Sequence, residues 1–452
     1  MRFHPFLLLP TLFLIQCAPA PDSLSKRAGQ VVPLPARYDG TSYPEPQIAS
    51  SLLKLFNNPE LNSLTRRALQ QNPEVALSAS RLAEVGFNLE KSRSALFPTL
   101  TGSTGLGKSR TSAGSFDTFD YGLDASWELD VWGRLKNSTR ASALDQAAAA
   151  ADLASVRQSI AAQTMQAWFD LVSTTKLLEL AHRETESLES TRQLVERRFE
   201  AGTASFADLE LTRADLENAR ADLERTLDSR DQAARRLKVF LGEYPDARLT
   251  STGDWPSLSR GVPAGLPSDL LRNRPDIDAA YQRIRAADSR VKVAHADLFP
   301  NFSLTASTGQ TSTSLSRLLL GKDGVYSLFA NMSAPLYDAG QRQAELGAAG
   351  ERAQQALESY RSTVLTAFRE VEDALSSEHY LAREERARQT ALAAARSAEK
   401  RTRRDYEAGL SDLLTLLESQ RRVFSTEEQT ITLHATRLNN RVALALALGK
   451  GI

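Results

Sequence analysis

Between Gly133 and Pro245, and again beyond Pro335, this chain contains no proline. The interior of each stretch carries one well-isolated glycine, Gly202 in the first and Gly409 in the second. They sit in matching phrases, Phe199-Glu200-Ala201-Gly202 and Tyr406-Glu407-Ala408-Gly409, 207 residues apart (409 − 202). Proline breaks helix interiors and glycine weakens them. Each stretch therefore predicts two very long helices joined at one tight turn. At 1.5 Å per residue the arm from Gly133 to Gly202 would be roughly 100 Å long. A long tube or coiled coil needs such hairpins; a soluble enzyme rarely does.

The rest of the chain repeats as well. Asn72-Pro73-Glu74 recurs as Arg274-Pro275-Asp276 and Phe97-Pro98 as Phe299-Pro300, both 202 residues on (275 − 73, 299 − 97). Gly133 recurs as Gly340 and Leu241-Gly242 as Leu448-Gly449, both 207 residues on (340 − 133, 449 − 242). One unit of about 200 residues is used twice, a period far beyond that of ordinary solenoids. The sequence divides into a leader at 1–16, an N-terminal segment at 17–65, a first repeat at 66–250, a linker at 251–267 and a second repeat at 268–452.

Each repeat opens with a shorter helix. Asn72 can cap the first, Pro73 suits its first turn, and Phe97-Pro98 ends it. Two candidate strands follow, near 99–108 and 118–130, and near 301–311 and 324–336 in the second repeat. Tyr121, Leu123, Ala125, Trp127 and Leu129 alternate with Gly122, Asp124, Ser126 and Glu128. Tyr326, Leu328, Ala330 and Met332 alternate less cleanly, because Phe329 falls on the polar side. Such alternation gives one apolar and one wet face, and about 9–11 residues suffice to cross a bilayer at a tilt. The segments Ser109–Asp117 and Ser312–Asp323, rich in Ser, Thr and Gly, read as exposed loops. A soluble four-stranded sheet is the alternative; it leaves unexplained why strand pairs interrupt two enormous hairpins. If the strands span lipid, four cannot close on themselves. Open edges cost several kcal/mol per unpaired group, so other chains must complete the barrel. Spacing alone does not choose among two, three and four chains.

Composition excludes little else. The 55 Lys and Arg balance 55 Asp and Glu, so no global field points to nucleic acid. Arg2 followed by Phe6-Leu7-Leu8-Leu9 and Leu12-Phe13-Leu14-Ile15 resembles an export signal. Cys17, the single cysteine, follows directly. Leu14-Ile15-Gln16-Cys17 resembles a bacterial lipobox, with Gln16 where a small residue is usual, and makes Cys17 the expected site of covalent lipid. Ordinary cleavage after Ala18-Pro19-Ala20 is the competing reading.

At this point a family resemblance becomes specific. Trp127-Glu128-Leu129-Asp130-Val131-Trp132-Gly133-Arg134, its counterpart Pro335-Leu336-Tyr337-Asp338-Ala339-Gly340, Leu271-Arg272-Asn273-Arg274-Pro275-Asp276-Ile277, both Phe-Pro pairs and both Glu-Ala-Gly turns occur together in order. The chain resembles the bacterial outer-membrane factors, the TolC-like and OprM-like efflux channels, in their lipoprotein branch. The resemblance implies a mainly α protein with membrane β-strands. Long helical hairpins would form an α-barrel in the periplasm, and a homotrimer would assemble a 12-stranded β-barrel in the outer membrane. It implies docking to a periplasmic adaptor and an inner-membrane pump, with the two glycine turns as periplasmic tips. Gly202, Thr203 and Ser205, with Gly409, Leu410 and Ser411, are the expected adaptor contacts, within 201–208 and 408–414. By position after the second glycine, Leu414 and Glu418 match the family's apolar and acidic gate positions, Glu standing for the more usual Asp; Asp412 is nearby. Three symmetry-related carboxylates at a constriction would repel one another and attract cations. Solvated helix charge is the plainer reading of both acids.

Other motifs mislead. Gly102-Ser103-Thr104-Gly105-Leu106-Gly107-Lys108-Ser109 satisfies the P-loop pattern, but no helix is predicted after it and the second repeat lacks its lysine. His4, His182, His295, His379 and His434 have no metal spacing. Tyr121, Trp127, Trp132, Tyr326 and Tyr337 at strand ends suit interfacial girdles. The expected function is a passive export duct for drugs or other small molecules, with no catalytic residues, metal or cofactor beyond the lipid. The outer component of a type I protein secretion system uses the same duct, and a periplasmic coiled-coil scaffold would need no membrane strands.

Overall fold

The computed structural model describes residues 23–32, 35–39, 51–112, 114–251, 254–256, 267–319 and 324–451. Helices α1 (Pro59–Gln71) and α2 (Pro73–Ser94) precede strands β1 (Thr99–Thr111) and β2 (Gly114–Leu129), then α3 (Arg134–Glu200) and α4 (Phe206–Phe240). The second half contains α5 (Pro267–Asn273), α6 (Pro275–Ala296), β3 (Asn301–Ser312), α7 (Leu315–Leu319), β4 (Val325–Ser333), α8 (Gln341–Glu407) and α9 (Leu413–Ala447). Counterparts match in length: 22 residues in α2 and α6, 67 in α3 and α8, 35 in α4 and α9. No helix among the described residues is long and apolar enough to cross a membrane.

Contacts divide the chain into two compact units. The first holds the strands, in one antiparallel sheet ordered β1-β2-β3-β4. Its register explains the alternation. Leu100, Ala125, Ala306 and Leu328 form one row across all four strands; the adjacent row is Thr101, Asp124, Ser307 and Ser327. Leu100 and Leu328 are 71% and 66% exposed, so the apolar face is uncovered within one chain. Phe329 stands opposite Thr305, on the polar face.

The loop expected at Ser109–Asp117 is largely strand. Pairing continues to Thr111 and Gly114, with only residues 112 and 113 between them. The ladder is made by backbone groups, so it runs on past the end of apolar alternation. The other expected loop contains the short helix α7. The P-loop-like octapeptide lies inside β1, paired with β2 along its length and with no helix at its end. That places it far from the strand–turn–helix setting in which backbone amides cradle phosphate.

The shared Asp–Gly phrases make the strand-to-helix turns. Asp130 accepts hydrogen bonds from the backbone N–H groups of Leu135 and Lys136, both at 2.9 Å, at the open end of α3. Asp338 accepts from Gly340 N–H at 3.0 Å and Arg342 N–H at 3.4 Å before α8. A carboxylate there satisfies amides that have no partner within the helix. Gly133 and Gly340 take φ of +76° and +85°, the left-handed turn that lets the acid reach back. Arg134 closes the joint with a forked pair to Glu128, at 2.6–3.0 Å.

The second unit contains most of the four long helices together with α1, most of α2, and α5. Its largest apolar cluster gathers Met165, Trp168 and Phe169 of α3, Leu237 of α4, Leu438 and Val442 of α9, and Phe56. Apolar residues recur every seven positions along the return arms, at Leu209, Leu216 and Leu223, then after a four-residue step at Leu227, Ala234 and Leu241. In the second repeat they recur at Leu417, Phe424, Ile431 and Leu438. These stripes are only partly internal. Leu216 and Ala234 in α4 and Leu417 and Leu438 in α9 are buried, whereas Leu227 is 42% exposed.

Candidate functional site at the hairpin tips

The two tips end their long helices in the same way. Gly202 N–H donates to the Phe199 carbonyl at 2.9 Å and Thr203 N–H to that of Arg198 at 2.7 Å. At the second tip Gly409 N–H donates to Tyr406 and Leu410 N–H to Asp405, again at 2.9 and 2.7 Å. This is the Schellman pattern, and it needs a left-handed residue; φ is +74° at Gly202 and +77° at Gly409. The Thr203 hydroxyl adds a bond to the Arg198 carbonyl at 3.0 Å. Each return helix is then capped. Ser205 and Asp208 exchange side-chain and backbone bonds in a capping box, and Asp412 accepts from Thr415 N–H at 2.8 Å. Turn and cap together leave only five residues between helices at each tip, 201–205 and 408–412.

The tips are locked to one another inside this unit. The Arg198 guanidinium donates to the Tyr406 carbonyl at 2.8 Å and lies 4.6 Å from the centroid of the Tyr406 ring. Beneath them Val195, Tyr406, Leu413, Leu416 and Leu417 pack as an apolar cluster. Outside it, Leu410, Phe206 and Leu414 are 78%, 65% and 66% exposed. Exposed apolar side chains around short, rigid turns make a surface suited to a protein partner.

The residues singled out in sequence fall as follows. Gly202, Thr203, Ser205, Gly409 and Leu410 are exposed and Ser411 is half-buried, all at the two turns. Leu414 and Glu418 line one side of a groove between α8 and α9, opposite Ala395 and Ala398. Glu418 pairs along its own helix with Arg422 at 3.1 Å and Arg421 at 3.7 Å. Asp412 turns its carboxylate onto the first turn of α9, and those amide bonds hold its pKa below the usual range. It is therefore both a helix cap and a fixed negative charge. Cys17 lies outside the described residues.

One feature of α9 escaped the sequence reading. Gln420, Glu427, His434 and Arg441 recur every seven residues, three positions after the apolar row Leu417, Phe424, Ile431 and Leu438. Each is tied to a neighbouring long helix. Gln420 donates to Thr191 Oγ1 at 3.0 Å and Ser187 Oγ at 3.2 Å. Glu427 accepts from Arg183 of α3 at 2.6 Å and Arg396 of α8 at 2.7 Å. His434 Nδ1 is 2.5 Å from Glu385, and Arg441 donates to Glu378 at 2.8 Å. The polar sevens were legible, but only packing shows that they face inward.

A doubled hairpin unit, a sheet with one uncovered apolar face and an apolar-rimmed tip define a subunit of a membrane channel. The chain belongs to the outer membrane efflux protein family, whose model matches residues 64–243 and 266–450. It is 35% identical to the outer membrane protein OprJ of Pseudomonas aeruginosa over 72% of this chain and 68% of that one. It is 26% identical to the probable outer membrane lipoprotein SilC of Salmonella typhimurium over 96% and 93% of the two chains. The solved structure of the outer-membrane channel OprN matches with a TM-score of 0.86 at 29% identity, over 93% of this chain and 97% of that one. The protein is an outer-membrane channel component of an efflux system, with the mainly helical, four-stranded fold that the sequence implied.

Proposed function

We propose that three copies assemble one passive duct, twelve strands closing a β-barrel in lipid, with a periplasmic adaptor and an inner-membrane pump engaged at the tips. The observation that carries this reading is the sheet itself: β1 and β4 each have a ladder on one side only, among the described residues. In lipid those edges must be paired by a neighbouring copy. Gly202, Thr203, Ser205, Gly409, Leu410 and Ser411 form the adaptor contact, with Leu410 and Phe206 supplying exposed apolar area. Leu414 and Glu418 form the constriction, and the capped Asp412 adds charge. Cys17 carries the lipid, as the name of the lipoprotein relative suggests. The chain performs no chemistry; cargo is small and is chosen by the pump that feeds the duct.

Mass measurement of the detergent-extracted outer-membrane protein tests the assembly, and a water-soluble monomer would end the proposal. Single-channel recording of Glu418→Ala tests the constriction. Cation preference should fall, and an unaltered channel removes Glu418 from the gate.

A further inference from the structure

The two short helices differ at several buried positions, and at one of them the second repeat carries an acid. Asp288 in α6 corresponds to Gly86 in α2, 202 residues earlier (288 − 86). Asp288 is only 8% exposed, yet no salt bridge to it is found among the described residues. Its carboxylate instead accepts from the Ser23 hydroxyl at 2.5 Å, from Leu24 N–H at 2.9 Å and from Ser25 N–H at 2.9 Å. Burial pushes its pKa up, but these donors outweigh burial and hold it below the usual carboxylate range. The bound residues form a single 3-10 turn at Leu24–Lys26, and Leu24 packs on Ala287, Val291, Ala294, Ala349 and Ala353. Three hydrogen bonds and one apolar plug thus fasten a segment that belongs to neither repeat.

The geometry points to Asp288 as a receptor site for the chain's own N-terminal segment, a clasp that ties the residues following Cys17 to α6. The Asp-for-Gly difference supports this: the chain has one N-terminus, and only one of two equivalent helices carries the acid. Two of the three donors are backbone N–H groups, which recognise a carboxylate whatever side chain they carry, so the site selects the turn conformation together with the Ser23 hydroxyl. Ser23 stands six residues from Cys17 (23 − 17), a reach of at most about 20 Å. An anchor at Cys17 would therefore be felt directly at α6. The clasp itself does not depend on lipidation.

Limited trypsin digestion of the assembled full-length protein at Lys26 and Arg27 reads the clasp, because cleavage requires the turn to detach. Asp288→Asn weakens it from the α6 side. Ser25→Pro removes one donor and disfavours the turn from the other side, leaving α6 untouched. Cleavage within residues 23–27 should accelerate by about tenfold or more in each variant, while the rest of the chain stays resistant. The same acceleration should appear in a Cys17→Ala background, which separates the clasp from the lipid. Wild-type cleavage rates in both Asp288→Asn and Ser25→Pro would overturn the assignment. If Asp288→Asn alone fails to assemble, Ser25→Pro decides.

Discussion

Asn72 donates through Nδ2 to the carbonyl of Phe240 at 3.0 Å, closing the C-terminal end of α4. In the second repeat Arg274 donates to the carbonyl of Ala447, the last residue of α9, at 3.1 Å. The positions correspond (274 − 72 = 202; 447 − 240 = 207), the residue types do not, and the orphan carbonyl is the same. Asn72 also caps α2 through Glu74 N–H at 2.8 Å, whereas Arg274 grips Asp276 and Glu370.

Removing either donor should therefore destabilise unequally. Asn72→Ala should cost about 1–2 kcal/mol, for one cap and one helix-end bond. Arg274→Ala should cost about 2–3 kcal/mol, since its charged partners lose their cation as well. Denaturation midpoints of the two variants in one detergent check the order; equal losses would contradict it.

The glycines at the two ends of the return arms should also respond differently. At Gly242, φ is +70° and a Cβ would lie 2.5 Å from the Gln71 carbonyl oxygen. At Gly202, φ is +74° and nothing lies within 4 Å of the added atom. Gly202→Ala should cost about 1–2 kcal/mol of conformational strain alone. Gly242→Ala should cost clearly more, because backbone must move as well. Thermal midpoints of the pair are the measurement.

The buried Glu427 predicts an acid response. Burial pushes its pKa up, but bonds from Arg183 and Arg396 outweigh burial and hold it below the usual range. A depressed folded pKa means that its stabilisation is complete above the unfolded value, about 4.3, and is lost as pH falls through the folded one. Glu427→Gln should be less stable than wild type at neutral pH, and the gap should narrow below about pH 4. Parallel denaturation curves at both pH values check this.

Arg198 should govern tip mobility. Arg198→Lys keeps the charge but loses the guanidinium that lies over the Tyr406 ring while donating to the Tyr406 carbonyl. Amide exchange in 199–205 and 406–412 should rise by about tenfold, with the helix interiors unchanged. No change in either segment would show that the cap and turn hold the tips alone.

Much of this architecture was legible because its signals are local. Absent proline, two isolated glycines and strict alternation in β2 act over a few residues each, so they read the same before and after folding. The doubling was legible from spacing alone. The helix α1 was missed although its signals are present: Asn58-Pro59 starts it as Asn72-Pro73 starts α2, and Arg66, Arg67, Ala68, Leu69, Gln70 and Gln71 all favour helix. The extension of β1 and β2 to Thr111 and Gly114 was missed because cross-strand backbone pairing leaves no mark on side-chain pattern.

What the chain order determined by itself is the repeat, the lengths of the hairpins and the turns at Gly202 and Gly409, all set by backbone preferences of neighbouring residues. Tertiary structure alone decided that Gln420, Glu427, His434 and Arg441 face inward, that Arg198 of one hairpin holds Tyr406 of the other, and that Asp288 holds Ser23. Those contacts join residues tens to hundreds of positions apart. Their partners are chosen by which faces meet once the helices pack, and short-range spacing carries no record of that choice.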